Sequence, residues 1–158
     1  MTDFEKAIEV MKQLFSRDYQ FALATCNNNI PSLRFVDTYF DGEAFYVVTY
    51  ALSQKIRDIA CNSNVALCGR KAYSFSGIAD NIGHPLLPEN AEIRNTLIKV
   101  FEPWYFKANN EGDNNMCYVK IVPTTGFFYK DGTGYRMNFT EKTVETFPFT
   151  PESGYTEE

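Results

Sequence analysis

Apolar residues in the first fifteen positions recur at the three- and four-residue spacing of a helix. The residues that share this face are Phe4, Ala7, Ile8, Met11, Leu14 and Phe15. Thr2 and Glu5 have the spacing of a capping box, in which each side chain bonds the other residue's backbone. The pattern predicts an amphipathic helix over residues 2–15 that covers one end of the fold.

The pattern changes to that of strands after this helix, with short apolar and aromatic runs between turn residues. Strands are predicted over residues 20–26, 64–82, 116–122, 126–130 and 135–139. Asn90 is expected to cap a second helix over residues 91–101. The order of elements predicts a mostly β (α+β) fold with flanking helices.

A hairpin is predicted around Asp41-Gly42, a dipeptide that favours a two-residue type I′ turn between apolar runs. That turn pairs Phe40 with Glu43, and therefore places Arg34 opposite Thr49. Cross-strand partners share a face, with Cβ atoms roughly 5 Å apart. The second strand is expected to end near Tyr50.

Ser53 follows as a good N-cap for a short helix that carries Lys55. In the predicted register, Arg34, Thr49, Ser53 and Lys55 converge on one spot beside the free amides of a helix N-terminus. Two positive charges, two hydroxyl groups and a helix dipole form a site suited to phosphate.

The same residues resemble the pyridoxamine 5′-phosphate oxidase family of FMN-binding split β-barrels. The features that carry the resemblance are an R-x-V strand at Arg34 and Val36, the D-G turn, a strand that ends in Thr49, and S-x-K at Ser53 to Lys55. It extends over about residues 21–80. The true oxidases usually have S-R-K, whereas this chain has Gln54 in the middle position, and their C-terminal substrate-binding block has no match here.

The resemblance implies a six- to seven-stranded split β-barrel with flanking helices, and FMN bound at the interface of a homodimer. The cofactor-binding residues that it implies are Arg34, Val36, Asp37, Thr49, Ser53, Gln54 and Lys55. It further implies an oxidoreductase that transfers hydride or electrons through flavin N5 to a small-molecule redox substrate, with a nicotinamide nucleotide as a donor. No catalytic acid or base is assigned. One alternative is a non-catalytic barrel that stores or senses flavin, or that binds haem or another phosphorylated cofactor; another is an empty relative that only dimerises.

Composition excludes several classes of ligand and location for this chain. The 158-residue chain has a net charge of −5 and no basic stripe, which argues against nucleic acid. No apolar run reaches the roughly 18 residues of a membrane span, and no signal-peptide pattern is present, so a cytoplasmic protein is expected. Four cysteines without a C-x-x-C pair, and one histidine, argue against a metal site. We expect one domain over residues 1–158, in which residues 141–158 form a loose tail, although Phe147 and Phe149 are able to dock.

Three further residues leave alternatives open. His84 is either a proton donor, a haem ligand or an exposed loop histidine. Trp104 and Tyr105 either stack on a ligand or pack within the protein or at a subunit interface.

Overall fold

A computed structural model describes residues 1–151 of the chain. Its elements in chain order are α1 (Asp3–Phe15), β1 (Tyr19–Asn27), β2 (Ile30–Phe40), β3 (Phe45–Tyr50), α2 (Gln54–Cys61), β4 (Asn64–Cys68), β5 (Ser74–Gly83), a 3₁₀ turn (Pro88–Asn90), α3 (Ala91–Val100), α4 (Tyr105–Ala108), β6 (Met116–Lys130), β7 (Thr133–Asn138) and β8 (Thr143–Pro148). None of these helices is long and apolar enough to span a membrane.

Six antiparallel strands close into a barrel. Their order is β3-β2-β1-β4-β5-β6, and pairing of β3 with β6 joins the two ends, while β7 and β8 extend the sheet beyond β6. This arrangement confirms the predicted split barrel with flanking helices. Closure through the β3–β6 pair covers one edge of β3, whereas the part of β2 that precedes Tyr39 has no partner on β3.

Helix α1 closes one end of the barrel with the face predicted from sequence. The Thr2–Glu5 capping box is formed, with both reciprocal hydrogen bonds at 3.1 Å. Phe15 is completely buried at the centre of the aromatic core. Its ring packs against six other rings, those of Tyr19, Phe21, Phe45, Tyr73, Phe75 and Phe128. The helix is therefore the plug of the barrel and not only a surface cover.

A second apolar cluster lies outside the barrel, where α3 and α4 cover β3 and β6. Leu97 and Phe101 of the helical segment pack there with Tyr46 and Tyr118 of the strands. Burial of both faces of β3 explains why its sequence shows no polar side.

The predicted register of the central hairpin is wrong. Phe40 pairs with Phe45, so four residues form the loop. The Asp41 carboxylate accepts hydrogen bonds at 2.8 Å from the amides of Glu43 and Ala44, which stabilises this longer turn. The two-residue turn would have placed Glu43 opposite the buried Phe40, and burial of an unpaired carboxylate is costly.

Other element boundaries also differ from the sequence-based prediction. Residues 64–82 form two strands, β4 and β5; the break begins at Gly69 and the pairing of β5 with β6 shifts at Gly77, the two glycines at which the sequence predicts bends or bulges in this β region. Residues 116–130 form the single strand β6, which continues through Pro123 at an irregular step in its pairing with β5. Residues 143–148, expected to be loose, form β8. Phe147 and Phe149 dock on Phe127, as the sequence allowed; residues 152–158 of the predicted tail lie outside the described part.

Candidate functional site

The candidate site lies where β2 and β3 separate. These strands pair only at Tyr39–Tyr46 and Phe40–Phe45, after which β3 continues along β6. Arg34 lies outside this short paired stretch, so the predicted Arg34–Thr49 pair is not formed; Thr49 pairs on the other edge of β3, with Cys117 of β6. The split leaves the open edge of β2 beside the start of α2.

Lys55 projects from the first turn of α2 into this split. Its Nζ donates a hydrogen bond of 3.0 Å to Oγ1 of the buried Thr49. Burial, and secondly the nearby Arg34 charge, lower the pKa of the Lys55 ammonium group. The adjacent Cys117 thiol has its pKa raised to about 11 by burial, so it is uncharged at neutral pH and supplies no counter-ion.

Ser53 is the N-cap residue of α2, as predicted, but its hydroxyl does not cap the helix. The Oγ atom is buried and has no hydrogen-bond partner among the described residues. A buried hydroxyl without a partner is costly, and such groups are rare in native proteins. An oxygen-rich ligand at the start of α2 would satisfy it, together with the first amides of the helix.

Arg34 reaches the same end of the barrel from β2. Its Nη1 donates to Thr25 Oγ1 at 2.7 Å and to the Leu23 carbonyl at 3.3 Å. Its Nη2 lies 3.6 Å from Oδ2 of Asp58, a buried carboxylate on α2. The guanidinium group is thus fixed on its β1 side.

We call Arg34, Thr49, Ser53 and Lys55 the cradle. It holds two positive charges, while Asp58 contributes one negative charge beside Arg34. No carboxylate of residues 1–151 forms an ion pair with Lys55 within 4.0 Å. The cradle thus combines two neighbouring cations, one of them with a lowered pKa, with a buried hydroxyl group that has no partner among the described residues.

The remaining predicted cofactor residues lie along the same seam. Val36 faces inward and packs in the barrel core. Gln54 is exposed, and its Nε2 donates to Ser32 Oγ at 3.0 Å, which ties α2 to the start of β2. Asp37 lies on the outer face of β2, close to Asp18.

The Asp37 carboxyl group has its pKa raised from 3.8 to about 6 by burial, by a hydrogen bond with Asp18 and by the charge of Asp18. The folded protein therefore binds a proton here between pH 4 and 6 that the unfolded chain releases, so stability falls as pH rises through this window. Well above pH 6, the destabilisation that results from the charged Asp37 carboxylate is fully present. We expect Asp37→Asn to stabilise the protein at pH 8 by about 1 kcal/mol, after allowance for solvent screening of a part-exposed group.

Urea unfolding of both proteins at pH 8 and at pH 3.5 measures this effect. The gain should largely disappear at the lower pH, where wild-type Asp37 is mostly protonated in both states. Asp80→Asn, at an exposed position on β5, is the matched control and should change stability by less than about 0.5 kcal/mol. An equal gain at both pH values would contradict the assigned cause.

His84, Trp104 and Tyr105 do not lie in the cradle. His84 accepts from the Leu86 amide at Nδ1, which leaves Nε2 as the donor to the Asp113 carbonyl, both at 3.1 Å. Both nitrogens of the ring are therefore used by backbone groups. Trp104 stacks on Phe101 and donates to Asp18 at 2.8 Å, and Tyr105 is completely buried beside Tyr118. Packing is the correct interpretation of both aromatic residues.

Sequence reasoning missed Thr25 and Asp58, which position Arg34. Their one sequence signal is the three-residue spacing of Lys55 and Asp58, which places both on one face of a helix. Nothing in the sequence pattern links Thr25 to Arg34, because their contact depends on how β1 pairs with β2.

Fold and cradle together define a split-barrel protein with two cations and a buried, unpartnered hydroxyl group at its open seam. The chain belongs to the pyridoxamine 5′-phosphate oxidase family, since the sequence model described as Pyridoxamine 5'-phosphate oxidase matches residues 7–130. No curated protein matches the chain in sequence.

Solved structures share the fold at low sequence identity. General Stress Protein 26 from Bacillus anthracis is 24% identical, with a TM-score of 0.56 over 80% of this chain and 93% of that one. An F420 reductase is 18% identical, with a TM-score of 0.55 over 73% and 94%. The haem storage protein HutZ from Vibrio cholerae is 12% identical, with a TM-score of 0.58 over 77% and 91%. These proteins carry different functions on one architecture, so the site must decide the function.

Proposed function

We propose that this protein binds FMN, with the ligand phosphate in the cradle formed by Arg34, Thr49, Ser53 and Lys55. The observation that carries the proposal is the buried Ser53 hydroxyl without a partner, next to a lysine without a counter-ion. A terminal phosphate supplies several acceptor oxygens and the negative charge that both groups need. Membership of the family supports a flavin as the rest of the ligand.

We propose that the flavin ring binds along the open edge of β2, at Val36 and Asp37. Backbone groups of this edge have no β3 partner beyond Tyr39, so they are available to a planar ligand. Bound FMN supplies hydride or electron transfer through its N5 atom. The protein holds the phosphate, orients the ring against β2 and excludes water on the barrel side. We propose an oxidoreductase that uses a nicotinamide nucleotide as its electron donor.

Oxidation of pyridoxamine phosphate itself is not the activity we propose. Gln54 occupies the position where the true oxidases usually carry arginine, and its side chain points to Ser32. Haem is a weaker ligand candidate, although HutZ shares the fold. His84, the single histidine of the chain, has both ring nitrogens engaged by backbone groups and leaves no lone pair for iron.

A homodimer is the proposed assembly. Leu33 and Phe35 on the outer face of β2 are 70% and 64% exposed, on the same strand as Arg34. Across β1 they pair with Ala24 and Ala22, which extend a smooth apolar surface. A second copy that covered this face would enclose the flavin ring from the side opposite the barrel.

Titration of the purified protein with FMN and with riboflavin tests the proposed ligand. FMN should bind at least tenfold more tightly, because only FMN carries the phosphate that the cradle recognises. Bleaching of bound FMN by a reduced nicotinamide nucleotide would support the oxidoreductase. Equal affinity for the two ligands would exclude the cradle as a phosphate site, and a Soret band with haem but no flavin binding would favour the haem alternative.

A further inference from the structure

A buried carboxylate lies directly behind the cradle. The side chain of Asp58 is 5% exposed, and its Oδ2 accepts a hydrogen bond of 2.7 Å from the Thr25 hydroxyl. The same oxygen lies 3.6 Å from Nη2 of Arg34. An anion is thus already present beside one of the two cations of a site that is built for an anionic ligand.

The Nη1 group of Arg34 is fully hydrogen-bonded on this side of the site. Nη1 donates to the hydroxyl of Thr25 and to the carbonyl of Leu23, so both of its hydrogens are directed toward β1. Thr25 links the two charges, because its oxygen accepts from Arg34 while its hydrogen is donated to Asp58. A ligand phosphate has to share the guanidinium group with Asp58.

We propose that Asp58 is an internal counter-ion that holds Arg34 in the ligand-free protein and competes with the ligand phosphate for it. The inference rests on the proposed phosphate site in the cradle and adds a residue that sets its affinity. Asp58 stabilises the empty state by neutralising a part-buried charge. In the liganded state the same carboxylate repels the phosphate across the guanidinium group.

This role predicts opposite effects on stability and on binding. Without the charge of Asp58, the ligand-free protein keeps two neighbouring cations and no anion, so it is less stable. The incoming phosphate then meets a net charge of two in place of one, so it binds more tightly. A merely structural role for Asp58 would lower both stability and affinity.

Asp58→Asn tests the inference, because asparagine keeps the size and the hydrogen bond of aspartate and removes the charge. We expect the melting temperature of the ligand-free variant to fall by about 3–6 °C. We expect its dissociation constant for FMN to fall about three- to tenfold relative to wild type. Inorganic phosphate should show the same direction, riboflavin should show no change, and the exposed control Asp80→Asn should behave as wild type.

Thr25→Val provides a second test if Asp58→Asn does not fold. Valine is nearly isosteric with threonine and removes the hydroxyl that joins Arg34 to Asp58, so FMN should again bind more tightly, by about twofold. Weaker FMN binding by the folded variants, with normal binding by wild type, would overturn the role of Asp58 alone. If wild type binds neither FMN nor inorganic phosphate, the proposed function fails together with this inference.

Discussion

Replacement of Lys55 by alanine is expected to weaken FMN binding about 10- to 150-fold, which corresponds to about 1.5–3 kcal/mol for a hydrogen bond to a charged group. Lys55 is the clearest test of the cradle, because its ammonium group has no carboxylate partner to leave behind. Its burial is also partial, so the fold should tolerate alanine. Arg34→Ala should weaken binding by a similar amount. It also leaves the buried Asp58 carboxylate without its cation, and therefore lowers stability as well.

Fluorescence titration with FMN and riboflavin measures the effect of Lys55→Ala. Riboflavin affinity should stay within twofold of wild type, since the lost contact belongs to the phosphate. Lys99→Ala, at an exposed position on α3, is the control for loss of a positive charge elsewhere. Unchanged FMN affinity in both Lys55→Ala and Arg34→Ala would remove the cradle from the ligand site.

Phe15→Ala is expected to cost about 3–5 kcal/mol of folding stability, the range for truncation of a buried aromatic residue. The Phe15 ring is completely buried and contacts rings of four barrel strands, β1, β3, β5 and β6. Its loss leaves a cavity that strands held in a closed hydrogen-bonded ring cannot collapse to fill.

Urea unfolding followed by circular dichroism measures the cost. Phe106→Ala is the matched control, since the Phe106 ring is 59% exposed and its truncation should cost less than about 1 kcal/mol. Similar losses for the two variants would show that α1 is a peripheral helix and not the plug of the barrel.

The sequence predicts elements with a strong local signal and fails where a turn depends on tertiary packing. The I′ geometry expected at Asp41-Gly42 occurs instead at Asp131-Gly132, where both residues have positive φ and Lys130 pairs with Thr133. Both dipeptides have the same chemistry. The difference is that a two-residue loop at Asp41 would bury Glu43. This cost depends on the burial of Phe40 in the closed barrel, so the local sequence does not reveal it.

In the candidate site, too, local features were predictable from the sequence and long-range contacts were not. Ser53 at the start of α2 and Lys55 in its first turn are local features, and their placement was predictable. The contacts of the Arg34 side chain were not predictable, because the predicted Arg34–Thr49 pair assumed that β2 and β3 stay paired along their length. β3 pairs with β2 at two residues only, while its other edge pairs along its whole length with β6, a strand from a distant part of the chain. The partners of Arg34 on β1 and α2 are equally non-local.

Closure of the barrel has a consequence for the nascent chain during synthesis. The edge of β3 receives its second partner only from residues 116–121, about 70 residues later in the chain. At elongation rates of about 5–20 residues per second, translation of this interval takes about 4–14 s. During that time the newly made first half exposes an apolar strand edge, a known template for association between chains. We expect the ribosome-bound chain to depend most on chaperones after β3 has emerged and before β6 has followed.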